Sequence, residues 1–212
     1  MYTSILSATM QGIRAIPVQV EVDVSPGLPG FSMVGTVNSQ VREAQDRVRT
    51  ALHNLEIPVP PRRITINLSP ADVPKAGTGF DLPITAAILE SLGQLPKGGL
   101  ESVMVIGEVG LDGQIKKVRG VLAMVEEARK SGCQGVLFHG KPERGTDDPG
   151  IRSVGVRNLG RVYADSERTD MGTSGERKGK DGDCTGNNSR FQRNQRTDCG
   201  KKGGTSCSRR FS

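Results

Sequence analysis

Between Val18 and Val24 the chain alternates without a break, with valines at the even positions and Gln19, Glu21 and Asp23 between them. A period of two puts the valines on one face of a strand and the polar residues on the other, so the segment predicts a half-buried strand. It extends back to Ile16. Ile5 to Met10 is also β-rich, and Gln11-Gly12 supplies a turn, so the opening predicts paired strands. Ser25-Pro26-Gly27-Leu28-Pro29-Gly30 then breaks the ladder, because proline lacks the donor N–H and glycine admits unusual dihedrals. A short strand, Phe31 to Val34, follows.

The period then changes. Asn38 is a favourable N-cap, and Val41, Ala44, Val48, Ala51, Leu52 and Leu55 recur at helical spacing, with Arg42, Glu43, Asp46, Arg47 and Arg49 assigned to the other face. This helix must stop before Pro58. Ile64 to Leu68 alternates again and predicts a strand. A second helix is expected from Asp81 to Leu92, a buried-type strand from Val103 to Gly107, a turn at Gly110–Gly113, and a partner strand from Ile115 to Val118. The third helix runs from Gly120 to Ser131, with Arg129 and Lys130 in its last turn and Gly132 just past its end. Gly135 to Phe138 is a further strand. Strands grouped first with helices inserted later predict an α+β domain with a mixed sheet.

Composition divides the chain at Asp165. From there to Ser212 there is no Val, Ile or Leu, and Met171, Phe191 and Phe211 are the only large apolar residues. Such a segment buries too little apolar surface to offset the entropy of ordering it, so a disordered tail is expected over 165–212, after a folded domain over 1–164. The net charge of +6 divides unevenly, because the tail holds eleven basic against seven acidic residues. A solvated basic tail accounts for most of the excess, which says little about a folded nucleic-acid-binding face. Cys133 lies in the body and Cys184, Cys199 and Cys207 in the tail, at spacings that form no zinc motif. No apolar run reaches the ~18 residues of a membrane span and no signal-peptide core opens the chain, so a cytoplasmic protein with free thiols and no membrane partner is expected.

The segment with most candidate chemistry is Ser69-Pro70-Ala71-Asp72-Val73-Pro74-Lys75-Ala76-Gly77-Thr78-Gly79-Phe80-Asp81. A strand leads through a glycine-containing loop into a helix, a geometry that aims backbone N–H groups at an anion. Against a phosphate cradle, Asp81 stands at the mouth of the helix and the G-x-x-x-x-G-K-[ST] spacing is absent; the plainer reading is that Asp81 caps its own helix. His53 and His139 have no nucleophile placed to use them. Lys116, Lys117 and Arg119, taken with Arg14, Arg62 and Arg63, could form a basic patch, but no aromatics are interleaved to stack on bases.

Several of these segments together resemble one family. They are Ser4-Ile5-Leu6-Ser7-Ala8, Pro26-Gly27-Leu28-Pro29-Gly30-Phe31-Ser32-Met33-Val34-Gly35, Asn67 to Asp72, Lys75 to Ile84, and Ile106-Gly107-Glu108-Val109-Gly110-Leu111-Asp112-Gly113. The resemblance is to the bacterial magnesium-chelatase-like AAA+ ATPases, the ComM and YifB group, and covers about residues 1–162. It marks Asp72, Lys75, Gly77, Asp81, Gly107, Glu108 and Gly113 as family-motif positions. It implies an amino-terminal domain joined in the family to an AAA+ module that uses ATP and Mg²⁺. It also implies a homo-hexameric assembly and, for the parent, ATP-driven DNA branch migration in DNA uptake and recombination. The domain is also similar to the proteolytic domain of Lon and the carboxy-terminal domain of RadA, which implies a ribosomal-S5-domain-2-like fold. Laid on the Lon motif, the serine position falls on Gly79 and the dyad lysine on Leu122. Glycine cannot attack and leucine cannot take a proton, so the resemblance implies a protease fold without its chemistry.

The tail departs from the family. Where the Walker A loop is expected, Gly179-Lys180 is followed by Asp181, which lacks the hydroxyl that binds Mg²⁺. The tail is read as a frameshift product, so that the chain is cut short before its ATPase module; a natural basic tail is the alternative. The expectation is therefore no catalytic residue and no cofactor in this chain, with a non-catalytic structural or assembly role. The competing expectation is a free-standing nucleic-acid-binding module that uses the basic tail.

Overall fold

The computed structural model describes residues 1–140 and 151–159. The strands are β1 (Tyr2–Gln11), β2 (Arg14–Ser25), β3 (Gly30–Val34), β4 (Arg63–Ser69), β5 (Val103–Val105), β6 (Glu108–Val109), β7 (Ile115–Lys116), β8 (Gly135–His139) and β9 (Arg152–Val156). The helices are α1 (Ser39–Arg42), α2 (Ala44–Asn54), α3 (Asp81–Ser91) and α4 (Val121–Lys130). Seven strands form one mixed sheet in the order β3-β4-β2-β1-β5-β8-β9, and β6 and β7 form a separate ribbon. The domain is thus α+β with a mixed sheet, as its pattern predicts. The expected tail, the boundary at 164 and the three tail cysteines lie outside the described residues.

The valine face of β2 organises the sheet. Val20, Val22 and Val24 stand opposite Leu68, Ile66 and Ile64 of β4, and all six are almost wholly buried. Each such side chain contributes roughly 1.5–3 kcal/mol relative to an exposed one. The other half of the sheet buries both faces. Along β5 and β8, Val105 and Leu137 join the cluster under α2 and α3, while Met104, Val136 and Phe138 join the cluster under α4. Side chains alternate across a strand, so the two clusters lie on opposite faces of the sheet, with α3 in the first and α4 in the second.

All eleven residues of α3 are buried, so it is apolar nearly all round and forms the centre of the domain. Its first-turn donors are satisfied without a side-chain cap: Leu82 N donates to Gly107 O at 2.9 Å and Ile84 N to Phe80 O at 3.0 Å. Pro83 has no N–H to satisfy, which is why the first turn tolerates it.

Two expectations are corrected and one strand is added. The single helix after Asn38 is two: Asn38 caps α1 by accepting from Val41 N at 3.0 Å, but Glu43 tightens the chain, and both Asp46 N and Arg47 N donate to its carbonyl at 3.2 and 3.1 Å. Ile115–Lys116 pairs with Glu108–Val109, not with Val103–Gly107, whose last two residues leave the sheet. Finally, β9 was not anticipated; it lies parallel to β8, with Leu137 opposite Val154.

Candidate functional site

The segment from Ser69 to Asp81 links β4 to α3 and is pinned at three points. Lys75 N donates to Thr36 O at 3.1 Å, and Asn38 N donates to Lys75 O at 3.3 Å, so the loop is stitched to the chain entering α1. One residue on, Ala76 N donates to Thr9 Oγ1 of β1 at 3.4 Å. The Lys75 side chain is 1 % exposed, and its Nζ donates to the Pro70 carbonyl, closing the loop on itself. Burial pushes its ammonium below the ordinary value, and Asp72 opposes the shift. Asp72 itself is exposed.

Beyond Lys75 the loop forms one wall of a cleft of about 500 Å³. Gly77, Thr78 and Gly79 line that wall, with Lys117 and Arg119 on the chain leading into α4. Apolar side chains of β1 and α4, including Met10 and Met124, line it too. Thr78 Oγ1 donates to Glu108 Oε2 at 2.5 Å, and Lys116 Nζ lies 3.8 Å from Glu108 Oε1.

Asp81 does not cap α3. Its carboxylate is wholly buried and accepts from Arg47 Nε at 2.8 Å, Arg47 Nη2 at 2.9 Å and Val109 N at 3.2 Å. The guanidinium thus grips both oxygens in the fork geometry that suits it. Burial pushes the Asp81 carboxyl above its ordinary value, and the two bonds from Arg47 and the one from Val109 pull the other way. The bonds to Asp81 hold Arg47 above its own ordinary value, against the opposing effect of burial. Arg47 also donates from Nη2 to Gln40 O at 3.0 Å, so this one side chain of α2 ties α1 to α3, and Asp81 extends the link to β6.

The family-motif positions therefore separate by task. Gly77 and Glu108 reach the cleft, as does Gly79, whereas Lys75 and Asp81 are buried beside the loop and Asp72 faces solvent. Gly107 lies against α3, where an added Cβ would stand 2.9 Å from Leu82 Cδ2. Gly113 turns the β6–β7 ribbon at φ +76°, and a Cβ there would meet Leu55 Cδ1 at 2.5 Å. Leu122 is 74 % exposed and does not line the cleft. The basic patch does not assemble: Arg14 begins β2, whereas Arg63 pairs with Ser25 at its far end, about 35 Å away along an extended strand.

Arg47 was missed, although the sequence holds a signal for it. It lies three residues after Ala44 and four before Ala51, on the flank of the buried stripe rather than opposite it. Thr78 carries no such signal, because its partner Glu108 is thirty residues away.

Comparison with known proteins places this architecture. The family profile described as subunit ChlI of Mg-chelatase matches residues 20–140. The chain is 46 % identical to YifB of Escherichia coli K12 over 121 residues, covering 57 % of this chain and 24 % of that one. It is 44 % identical to competence protein ComM of Haemophilus influenzae over 127 residues, 60 % of this chain and 25 % of ComM. DNA repair protein RadA of Campylobacter jejuni is 27 % identical over 161 residues, 75 % of this chain and 34 % of RadA. The chain spans about a quarter of the length of the YifB and ComM proteins it matches. With more than half of its length inside that profile, the chain belongs to the magnesium-chelatase ChlI-like family, in the company of YifB and ComM.

Proposed function

We propose that residues 1–164 are a non-catalytic structural and assembly domain of a ChlI-like AAA+ ATPase, with a ribosomal-S5-like, Lon-related fold, whose parent acts on DNA as a competence or repair protein would. One observation carries the reading. At the cleft, the position a Lon-like nucleophile would take is Gly79, which has no side chain to attack with, and the hydroxyl beside it, Thr78, is bonded to the carboxylate of Glu108 rather than to the lysine amine of a Ser–Lys dyad. Lys75, the buried lysine among the described residues, is spent on the Pro70 carbonyl behind the loop.

ATP and Mg²⁺ belong to the family, but the loop here does not fit them. It offers no lysine after its second glycine and no hydroxyl following such a lysine, and the one buried carboxylate at the helix mouth is gripped by Arg47. ATP chemistry is accordingly assigned to an AAA+ module of the parent and to none of the described residues. The sheet, α3 and the Arg47–Asp81 pair supply a rigid body, which suits a domain that sets the spacing of an oligomeric ring.

The test is twofold. The purified chain should hydrolyse neither ATP nor a casein-derived peptide above background; turnover abolished by a substitution at Thr78 would overturn the proposal. In a full-length relative, deleting the segment equivalent to 1–164 should lower the oligomeric state seen by analytical ultracentrifugation, and an unchanged ring would remove the assembly role.

A further inference from the structure

The cleft wall carries more donors than the fold consumes. The backbone N–H groups of Gly77, Thr78, Gly79 and Phe80 meet no acceptor among the described residues. Buried or half-buried N–H groups are nearly always paired, so four in succession mark either a hydrated surface or the recognition of an acceptor from outside. Lys117 and Arg119 stand on the same cleft and have no ion pair or hydrogen bond among the described residues. The objection to an anion here was Asp81, and its geometry removes it. The Asp81 carboxylate is wholly buried, clasped by Arg47 and Val109 N, and contributes no line of the cleft. Glu108 is the remaining acid on the cleft, and it is occupied by the Thr78 hydroxyl and faced by Lys116.

These groups differ in kind from a bare helix end. Consecutive N–H groups left unpaired among the described residues are the raw material of an anion-binding nest, and two cations with no partner among those residues line the same cleft. Met10, Val118 and Met124 supply an adjoining apolar lining of adaptable shape. A cleft of about 500 Å³ lies within the range that holds a small organic ligand. A carboxylate carries one charge on two oxygens and would leave donors idle. A phosphate monoester has three terminal oxygens and close to two charges at neutral pH, and an apolar ester group would cover the methionines.

We infer that the Gly77–Phe80 loop, with Lys117 and Arg119, is a binding site for a phosphate monoester that carries a compact apolar group. The inference does not depend on the assembly role and assigns no chemical step to the site. The phosphate is held by backbone donors and two side-chain cations, without the lysine and hydroxyl of a nucleoside-triphosphate loop.

The experiment is an amide-resolved NMR titration of the full chain with phenyl phosphate, inorganic phosphate and an oligothymidylate lacking a terminal phosphate. Phenyl phosphate should shift the Gly77, Thr78, Gly79 and Phe80 amides saturably, and inorganic phosphate should bind more weakly because the apolar lining goes unused. The double variant K117A/R119A, both of whose sites are exposed and whose Tm should not move, should weaken phenyl phosphate binding about tenfold or more. Gln at Arg119 alone (R119Q) should give an intermediate loss. Absence of saturable shifts would overturn the inference, as would shifts that K117A/R119A leaves unchanged. If only the oligothymidylate moved these amides, the site would be a nucleic-acid backbone contact and the monoester assignment would fall.

Discussion

Replacing Arg47 by Met would leave Asp81 buried with one donor in place of three. Asp81 is 0 % exposed while the Arg47 side chain is 20 % exposed, so the carboxylate cannot recover its lost bonds from water without opening the α2–α3 contact. Methionine keeps the aliphatic stem, so the loss is mainly the two guanidinium bonds at 2.8 and 2.9 Å. Removing one partner of a buried pair costs ~3–5 kcal/mol, because the other charge stays behind. For a domain of this size each kcal/mol moves Tm by ~2–4 °C, so R47M should fall by about 6–20 °C. The companion variant R47M/D81N removes the stranded charge and keeps an amide oxygen for Val109 N, whose bond is 3.2 Å in the parent. It should recover ~1–3 kcal/mol of the loss, since a neutral hydrogen-bonded amide is far cheaper to bury than an unpaired carboxylate. Urea unfolding followed by far-UV circular dichroism measures all four corners of the cycle, with D81N as the fourth. Two results would refute the reasoning: a cost for R47M below ~1 kcal/mol, or energies for the two single variants that simply add in the double.

Other outcomes follow from the loop and the ribbon. Because burial lowers the Lys75 ammonium below its ordinary 10.5, the folded amine loses its proton first as pH rises while the unfolded chain still holds it. Folding stability contributed by Lys75 should therefore increase from that depressed value up to 10.5, and K75M should lack the increase; matching slopes for the two proteins in alkaline urea titrations would contradict this. At Gly113, alanine meets both a positive φ and Leu55 at 2.5 Å, so G113A should cost ~2–4 kcal/mol in urea denaturation. A loss under ~0.5 kcal/mol would mean that the ribbon relaxes freely.

The segments that the sequence predicted best share one property: their pattern is local. The alternating valines of β2 identify a strand and its buried face because both follow from a two-residue period, and α4 announces itself with an apolar stripe, a basic last turn and a glycine stop. What escaped was the choice of partner. β7 is two residues long, too short for any period to show, and whether it pairs with β5 or β6 is decided by the tight turn at Gly110–Gly113 and by packing under α2. Asp81 was legible as a residue at a helix start, but a cap and a buried ion pair look alike until a guanidinium thirty-four residues earlier is seen beside it. The cleft is legible only in part for the same reason. Its glycines lie in one continuous motif, whereas Met10, Glu108, Lys117 and Arg119 come from distant stretches that only the sheet brings to one place.

The parallel pairing of β1 with β5 sets a timetable for the ribosome. Leu6 is in register with Met104, so nearly a hundred residues must be made before the first strand gains its second neighbour. At ~5–20 residues per second that interval lasts on the order of five to twenty seconds. In its last third, once β4 has been made, the β1–β2 hairpin has β4 on one side and an open hydrogen-bonding edge on the other. A nascent chain in that state offers a template for any extended segment nearby until Val103 to Val105 emerge to cover the edge.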